Sequence, residues 1–196
     1  MLKVVPLDAA HLEGWAALFE ACHCSCYCRY WHFIGTTNDW LARTAFSADV
    51  NREEHAQGLL AGDPASRGLV ALSEADAVVG WMKLVPRSTV TKLRKGRVYG
   101  ALDLGTDEGV YSIGCFLVHP DHRGKGVARA LVHGADEAVR AWGGRAVEAY
   151  PRRSNDELRP EEVWMGPEQI YIDAGYTHIA GEAPYPVYRK DLGFRG

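Results

Sequence analysis

The chain has 196 residues, 47% hydrophobic and 24% charged, a balance typical of a globular protein and not of a disordered or membrane-spanning one. Its formal net charge of −3 provides no bulk attraction to nucleic acid or to anionic membranes, so we expect neither as a partner. The length suits one domain over residues 1–196, and the N-terminus lacks the apolar stretch of a secretory signal, which predicts a cytoplasmic protein.

The first half of the chain combines short apolar segments typical of strands with periodic segments typical of helices. They predict, in order, a strand at residues 2–7, a helix that opens at the Asp8 cap and continues to residue 22, a second helix over 51–62, and a hairpin from 67–73 and 77–85. A connection rich in cysteine and aromatic residues, reaching Trp40, separates the two helices.

The second half begins with a basic segment, residues 87–109, which has no clear period and predicts a lid or a small helix. Beyond it the sequence predicts a strand at 109–118, a helix from Gly126 to Trp142, a strand at 145–151, a short helix that ends at Gly175, and strands at 177–180 and 185–192. No repeat or linker interrupts this series, so we expect one mixed α/β domain.

The segment HPDHRGKGVARAL, residues 119–131, links a predicted strand to a predicted helix. A glycine-bearing loop at a helix start suits phosphate binding, because the first helical N–H groups are unpaired and glycine lets an anion approach the backbone. A Walker loop would require a glycine at His119 and a serine or threonine at Gly126, so that motif is excluded. A dinucleotide-binding loop would require a glycine at Arg129, although Glu148 partly fits its acidic position, and this fold stays an alternative.

The part RGKGVA, residues 123–128, resembles the Arg/Gln-x-x-Gly-x-Gly/Ala signature of the GNAT superfamily of acetyl-CoA-dependent N-acetyltransferases. The resemblance extends from YSIGCFLVHPDHRGKGVARAL through the helix and RAVEAYP to IYIDAGY, and it is strongest to a branch with a cysteine- and aromatic-rich segment after the first helix. It implies a mixed, mostly antiparallel sheet flanked by helices, with one splayed pair of strands. It also implies acetyl-CoA as co-substrate, an amine acceptor, and a monomer or homodimer.

The resemblance assigns roles to individual residues. Phe116 and Val118 would pair through their main chain with pantetheine, and the Phe116 N–H would stabilise the oxyanion that develops on the thioester. Tyr171 matches the tyrosine that protonates the departing CoA thiolate, although Trp164 and Pro167 stand where members often have asparagine and alanine. The CoA pyrophosphate would be bound by the loop and helix start formed by Arg123, Gly124, Lys125, Gly126, Val127 and Ala128. In the same strand as Phe116, Gly114 is expected to mark a bulge that bends the strand open.

The sequence assigns no general base. An alkylammonium with a pKa of ~10 must lose a proton before it can attack. The superfamily position that often carries a glutamate aligns near Ser112, and Asp107 and Glu108 are interpreted as solvated loop carboxylates. His119 is interpreted as structural.

The thiol cluster CHCSCYC places a cysteine at every second position from Cys22 to Cys28. Structural zinc sites usually pair two Cys-x-x-Cys knuckles from separate segments, so we expect no metal here and interpret Cys22, Cys24, Cys26 and Cys28 as small packing residues. The odd total of five cysteines, including Cys115, predicts reduced thiols. The adjoining segment 30–33 is either an aromatic wall for the acceptor or plain core.

Two function classes fit the sequence. The first is an N-acetyltransferase that transfers the acetyl group of acetyl-CoA to a primary amine by direct attack in a ternary complex. The second is a non-catalytic CoA-binding or thiol- or metal-sensing regulatory module, favoured by the missing base and the thiol cluster. A small metabolite, an antibiotic, a peptide N-terminus and a lysine side chain all fit as acceptors.

Overall fold

A computed structural model describes residues 2–159 and 162–193. Within these residues, seven strands form one sheet in the order β1-β2-β3-β4-β5-β7-β6. The strands are β1 (Lys3–Pro6), β2 (Gly68–Leu72), β3 (Val78–Pro86), β4 (Val110–Val118), β5 (Ala146–Ala149), β6 (Thr177–Ala180) and β7 (Val187–Asp191). The β4–β5 pair is parallel and the other pairs are antiparallel, which confirms the predicted mixed, mostly antiparallel sheet.

Six α-helices lie within the described residues: α1 (Leu12–Ala21), α2 (Thr37–Phe46), α3 (Ala48–Leu60), α4 (Thr91–Lys95), α5 (Val127–Ala141) and α6 (Glu168–Asp173). None of them is both long and apolar enough to cross a membrane. A short 3-10 turn precedes α1, and the Asp8 carboxylate caps it by accepting hydrogen bonds from two backbone amides.

Helix α2 lies in the connection that the sequence analysis left without structure. Its signal was a capping box: Thr36 Oγ1 accepts from the Asp39 N–H at 3.2 Å, and Asp39 Oδ2 accepts from the Thr36 N–H at 2.8 Å. The helix was missed because Trp40 is its one buried residue, so it shows almost no apolar periodicity.

The two faces of the sheet are covered by α5 and α1. The apolar stripe of α5 packs on one face and includes Val127, Leu131, Val132, Ala135, Ala138 and Val139. On the other face, α1 contributes Trp15, Leu18 and Phe19 to a second core. The helix α5 lies close to the sheet because Gly134 has no side chain; a Cβ there would stand 2.6 Å from Val4 Cγ1. Truncation of fully buried Leu131 to alanine is expected to cost about 2–5 kcal/mol.

Strands β4 and β5 are paired at one end and separated at the other. Pairing is confined to Val110–Ser112 of β4 opposite Ala146–Glu148 of β5. Farther along β4, the register against β3 shifts so that Gly114 is the extra residue between Ile113 and Cys115. This confirms the bulge expected at Gly114, and the bulge bends the strand away from β5.

The buried carboxylate of Glu148 holds the sheet together at the point where β4 and β5 diverge. It accepts hydrogen bonds from Arg87 Nη1 at 2.8 Å and from Arg189 Nε at 2.9 Å. The Tyr150 hydroxyl lies 2.7 Å from this carboxylate and 2.7 Å from Ser112 Oγ. Because a buried charge that loses its partners is strongly destabilising, this network fixes the closed end of the strand pair.

Candidate active site

A cavity of about 420 Å³, here called the slot, lies beside the part of β4 that extends beyond the pairing with β5. Its walls come from β4, the start of α5, the thiol cluster and residues 163–167. The lining residues are Cys22, His23, Cys24, Phe116, Leu117, Val118, Arg123, Ala128, Val163, Trp164, Gly166 and Pro167. Four of the site residues expected from the sequence are therefore brought to one cavity.

The glycine loop forms one end of the slot. Gly124 and Gly126 have φ angles of +71° and +81°, in the left-handed region that glycine adopts at low cost, and Gly126 caps α5. Residues 123–126 are exposed. The first N–H groups of α5 have no partners within the helix, and the cationic residues Arg123 and Lys125 immediately precede the helix in the chain. This arrangement suits a bound phosphate group.

The free edge of β4 forms the long wall of the slot. The Phe116 N–H points away from β3 and donates to the Trp164 carbonyl at 2.7 Å. Alternate residues of a strand present their main-chain groups to the same edge, so Val118 faces the slot as well. The Val118 carbonyl accepts from Arg123 Nε at 3.3 Å.

Residues 163–166, here called the 163–166 segment, lie across the middle of the slot. Besides the bond from Phe116 to Trp164, the adjacent Met165 carbonyl accepts from the Tyr171 hydroxyl at 2.5 Å. The turn is tight at Gly166, which has a φ of +82°. A Cβ there would lie 2.9 Å from Tyr171 Oη and 3.0 Å from Phe116 Cε2. Sequence reasoning did not predict that this segment touches β4.

Tyr171 lies on α6 and is fully buried. Burial raises the pKa of its phenol well above the ordinary value, so the group is protonated at neutral pH. Its ring centroid is 6.3 Å from that of Phe116. The structure therefore places the two residues expected to take part in catalysis side by side, and both donate to carbonyls of the 163–166 segment.

A second cavity, of about 340 Å³, adjoins the slot and is here called the aromatic cavity. Its lining residues are Phe19, Cys24, Cys26, Cys28, Tyr30, Trp31, Trp40, Cys115, Phe116, Leu117 and Trp164. Cys24, Phe116, Leu117 and Trp164 line both cavities. Two of the four residues in segment 30–33, Tyr30 and Trp31, contribute to this wall.

The cysteines differ from the expectation of reduced thiols. Cys28 and Cys115 are joined by a disulfide bond, so that expectation is wrong for this pair. We expected reduced thiols because the number of cysteines is odd. In the folded chain the thiol cluster packs against β4, which brings Cys28 next to Cys115 although the two residues are 87 positions apart in sequence. The free thiols of Cys24 and Cys26 lie 3.4 Å apart, and the hydrogen bond from Cys26 lowers the pKa of Cys24 to about 7.

The described residues contain no group of three or more histidine, cysteine, aspartate or glutamate side chains placed to hold a metal ion.

The loop carboxylates of Asp107 and Glu108 do not line the cavities that contain Phe116. Asp107 accepts from Arg87 Nε at 2.6 Å, and with Glu108 it lines a different cavity beside Trp142. The exposed end of β4 carries His119, whose Nδ1 accepts from the Asp121 N–H at 3.3 Å, in keeping with a structural role.

Comparisons with known proteins agree with this architecture. One similar solved structure is a GNAT-family acetyltransferase from Listeria monocytogenes, with 14% identity over 97% of this chain and 95% of that one and a TM-score of 0.56. A second is the PaiA N-acetyltransferase of Thermoplasma acidophilum in complex with coenzyme A, with 12% identity over 97% of this chain and 99% of that one and a TM-score of 0.55. A third is the ribosomal-protein-S18-alanine N-acetyltransferase of Escherichia coli, with 11% identity over 100% of this chain and 97% of that one and a TM-score of 0.53. At these identities the likeness establishes the fold alone. A search of curated proteins found no match.

The family comparison is more specific than the structural one. The model of the acetyltransferase (GNAT) family matches residues 25–160, which is more than half of the chain and includes the thiol cluster from residue 25, β4 and the glycine loop. This match and the shared fold show that the chain belongs to the GNAT family of acetyltransferases.

Proposed function

We propose that this protein is an N-acetyltransferase in which a primary amine attacks acetyl-CoA directly in a ternary complex. The observation that carries the proposal is the continuity of the two cavities at Phe116. The slot leads from Arg123 and Ala128 to Phe116, and Phe116 also lines the aromatic cavity. The cofactor and the acceptor would therefore enter separately and meet at one backbone amide.

CoA would bind along the slot. Its pyrophosphate would contact the N–H groups of residues 123–128 and the charges of Arg123 and Lys125. Its pantetheine arm would add to the free edge of β4 at Phe116 and Val118, as an extra strand does. For this to happen the Trp164 carbonyl must release the Phe116 N–H, which the thioester oxygen then accepts.

The same movement would free both catalytic donors, because adjacent carbonyls of the 163–166 segment hold them. The Phe116 N–H would stabilise the negative charge on the thioester oxygen as the amine nitrogen bonds to the carbonyl carbon. The carbon–sulfur bond then breaks, and Tyr171, released from Met165, would donate its proton to the CoA sulfur. The products are the acetylated amine and CoA.

One observation favours the second class, a regulatory module without turnover. Both proposed donors are already hydrogen-bonded within the protein, and a disulfide at Cys115 adjoins Phe116 in the chain. A thiol-sensing protein that keeps the CoA slot would have these features. Release of free CoA thiol from acetyl-CoA in the presence of an amine separates an enzyme from such a module.

The binding part of the proposal is tested by thermal unfolding with CoA. A ligand that binds the folded state raises Tm by mass action, and Arg123→Glu should remove most of the shift. Arg52→Glu is the matched control, because Arg52 is exposed on α3 and lies outside the slot lining. A Tm that does not change with CoA would contradict the proposed CoA site.

A further inference from the structure

The aromatic cavity has an unusual composition for a site that receives an amine. Its lining, all of it within the described residues, consists of aromatic rings, sulfur atoms and Leu117, with no carboxylate, ammonium or guanidinium group. The polar edge of Trp31 is already used, since its indole N–H donates to the Gly114 carbonyl at 2.9 Å. The cavity therefore offers a large apolar contact area and no carboxylate as counter-ion for a charged ligand; its most acidic lining group is the Cys24 thiol, with a pKa of about 7.

Burial disfavours a further positive charge in this region. Arg29 is buried, and the pKa of His32, next to Trp31 in the chain, is lowered to about 3, chiefly by burial. The Lys92 ammonium already lies over the Tyr30 ring, with Nζ 4.4 Å from the ring centroid. A second ammonium group, placed in the cavity, would meet the same desolvation as His32 and the charge of Lys92.

The carboxylates of this region are engaged by other groups. Glu54 accepts hydrogen bonds from both Arg29 and Arg43. Asp39 caps α2 through Thr36. Neither carboxylate lines the aromatic cavity. The local charge distribution thus disfavours a cationic acceptor and favours a neutral one.

From these observations we infer that the aromatic cavity takes an arylamine, a planar acceptor whose amino group is attached directly to an aromatic ring. The inference rests on the proposed function and names the substrate class for it. The lone pair of an arylamine is delocalised into the ring, so the group is a free base at neutral pH. The acceptor would enter uncharged and stack on the rings of the cavity.

This substrate class also accounts for the missing general base. An alkylammonium with a pKa of ~10 would need a base before attack, whereas an arylamine needs none. In the proposed reaction the arylamine nitrogen bonds to the acetyl carbon and the bond to the CoA sulfur breaks. The proton that the nitrogen loses is balanced by the proton that the sulfur gains through Tyr171.

The test compares amines of similar ring size and different basicity. With acetyl-CoA at pH 7, aniline should give a kcat/KM at least tenfold above that of benzylamine, and spermidine should give no measurable CoA release. A kcat/KM for benzylamine equal to or above that of aniline, or turnover of spermidine, would overturn the inference while leaving the proposed acetyltransferase in place.

Binding is measured separately, so that a failure of the proposed function is distinguishable. With CoA in place of acetyl-CoA, aniline should quench the tryptophan fluorescence of the cavity with a lower Kd than benzylamine does. If aniline binds more tightly than benzylamine but no amine is acetylated, the proposed acetyltransferase function is wrong and the arylamine-binding site is supported. Equal or tighter binding of benzylamine would refute the arylamine-binding site.

A substitution can reverse the preference. Leu117→Asp introduces a carboxylate into the lining and should raise the benzylamine-to-aniline ratio of kcat/KM at least tenfold. The matched control is Leu41→Asp on α2, where the side chain is 57% exposed and outside the cavity lining. An unchanged ratio in a folded Leu117→Asp protein would count against the inference, and if that variant does not fold, the wild-type comparison decides alone.

Discussion

The glycine at residue 166 allows a direct measurement of whether the 163–166 segment leaves the slot when CoA binds. Its φ of +82° lies in the left-handed region, where an L-residue costs about 1–2 kcal/mol. The added methyl group of Gly166→Ala would also stand 2.9 Å from Tyr171 Oη. We therefore expect the backbone strain of Gly166→Ala to lower the free energy of unfolding by about 1–2 kcal/mol, or Tm by roughly 2–8 °C in the absence of CoA, and the contact with Tyr171 to add to this loss.

The effect on CoA affinity should have the opposite sign. If the segment leaves the slot and its left-handed turn relaxes, the strain is present in the free protein and absent from the complex. A relief of about 1–2 kcal/mol corresponds to about 5- to 30-fold tighter CoA binding, which titration calorimetry measures readily.

Gly175→Ala is the matched control for backbone strain. Gly175 has a φ of +85°, and a Cβ there would meet only Lys190 Cε, at 3.9 Å. This variant should lose a similar amount of stability without a change in CoA affinity. A Gly166→Ala protein with lowered Tm and an unchanged or weaker CoA affinity would refute the idea that pantetheine replaces the segment at Phe116.

Three further predictions concern Tyr171, Cys24 and Lys83. Tyr171→Phe should lower kcat by about 10²-fold with little change in CoA affinity, because it removes the proton donor and keeps the ring; a wild-type kcat in an assay limited by chemistry would make Tyr171 a packing residue. The pKa of Cys24 is about 7, so its alkylation by iodoacetamide, followed by peptide mass spectrometry, should accelerate as the pH rises from 6 to 8. Because Cys24 lines the slot, bound CoA should slow the alkylation. An alkylation rate that depends on neither pH nor CoA would contradict the lowered pKa and the position of Cys24 in the slot. Burial lowers the pKa of Lys83 to about 7, so between pH 10 and pH 7 this side chain carries a proton in the unfolded chain that it lacks in the folded protein, and stability falls as the pH falls. Lys83→Met should therefore raise Tm more at pH 7 than at pH 10, and an equal gain at both would show that Lys83 is not neutral when buried.

The local parts of the fold and of the site were predictable from the sequence. The stripe of α5 is a periodic pattern, and β2 and β3 are short apolar runs joined by a turn, so a few neighbouring residues define each of them. Gly124 and Gly126 are informative because their left-handed backbone conformations are costly for other residues, and Gly114 because a glycine within a strand indicates a bulge. The loop that suits phosphate was therefore predictable from the sequence without knowledge of any tertiary contact.

The expectation of reduced thiols failed because it depended on composition. Cysteine count and spacing say nothing about which side chains meet, and the Cys28–Cys115 bond joins residues 87 positions apart in sequence. Helix α2 was missed for a related reason, since a surface helix with one buried residue has little periodicity to detect.

The tertiary structure alone decided how the site is arranged. The placement of Arg87 and Arg189 on Glu148 and the bond from the Phe116 N–H to the Trp164 carbonyl depend on which segments the folded chain brings together. The energies of such contacts come from burial and from hydrogen bonds between distant residues, which leave no local period in the sequence. The sequence by itself determined that a glycine-bearing loop suited to phosphate follows β4, and only packing determined that a segment of the same chain contacts β4 beside it.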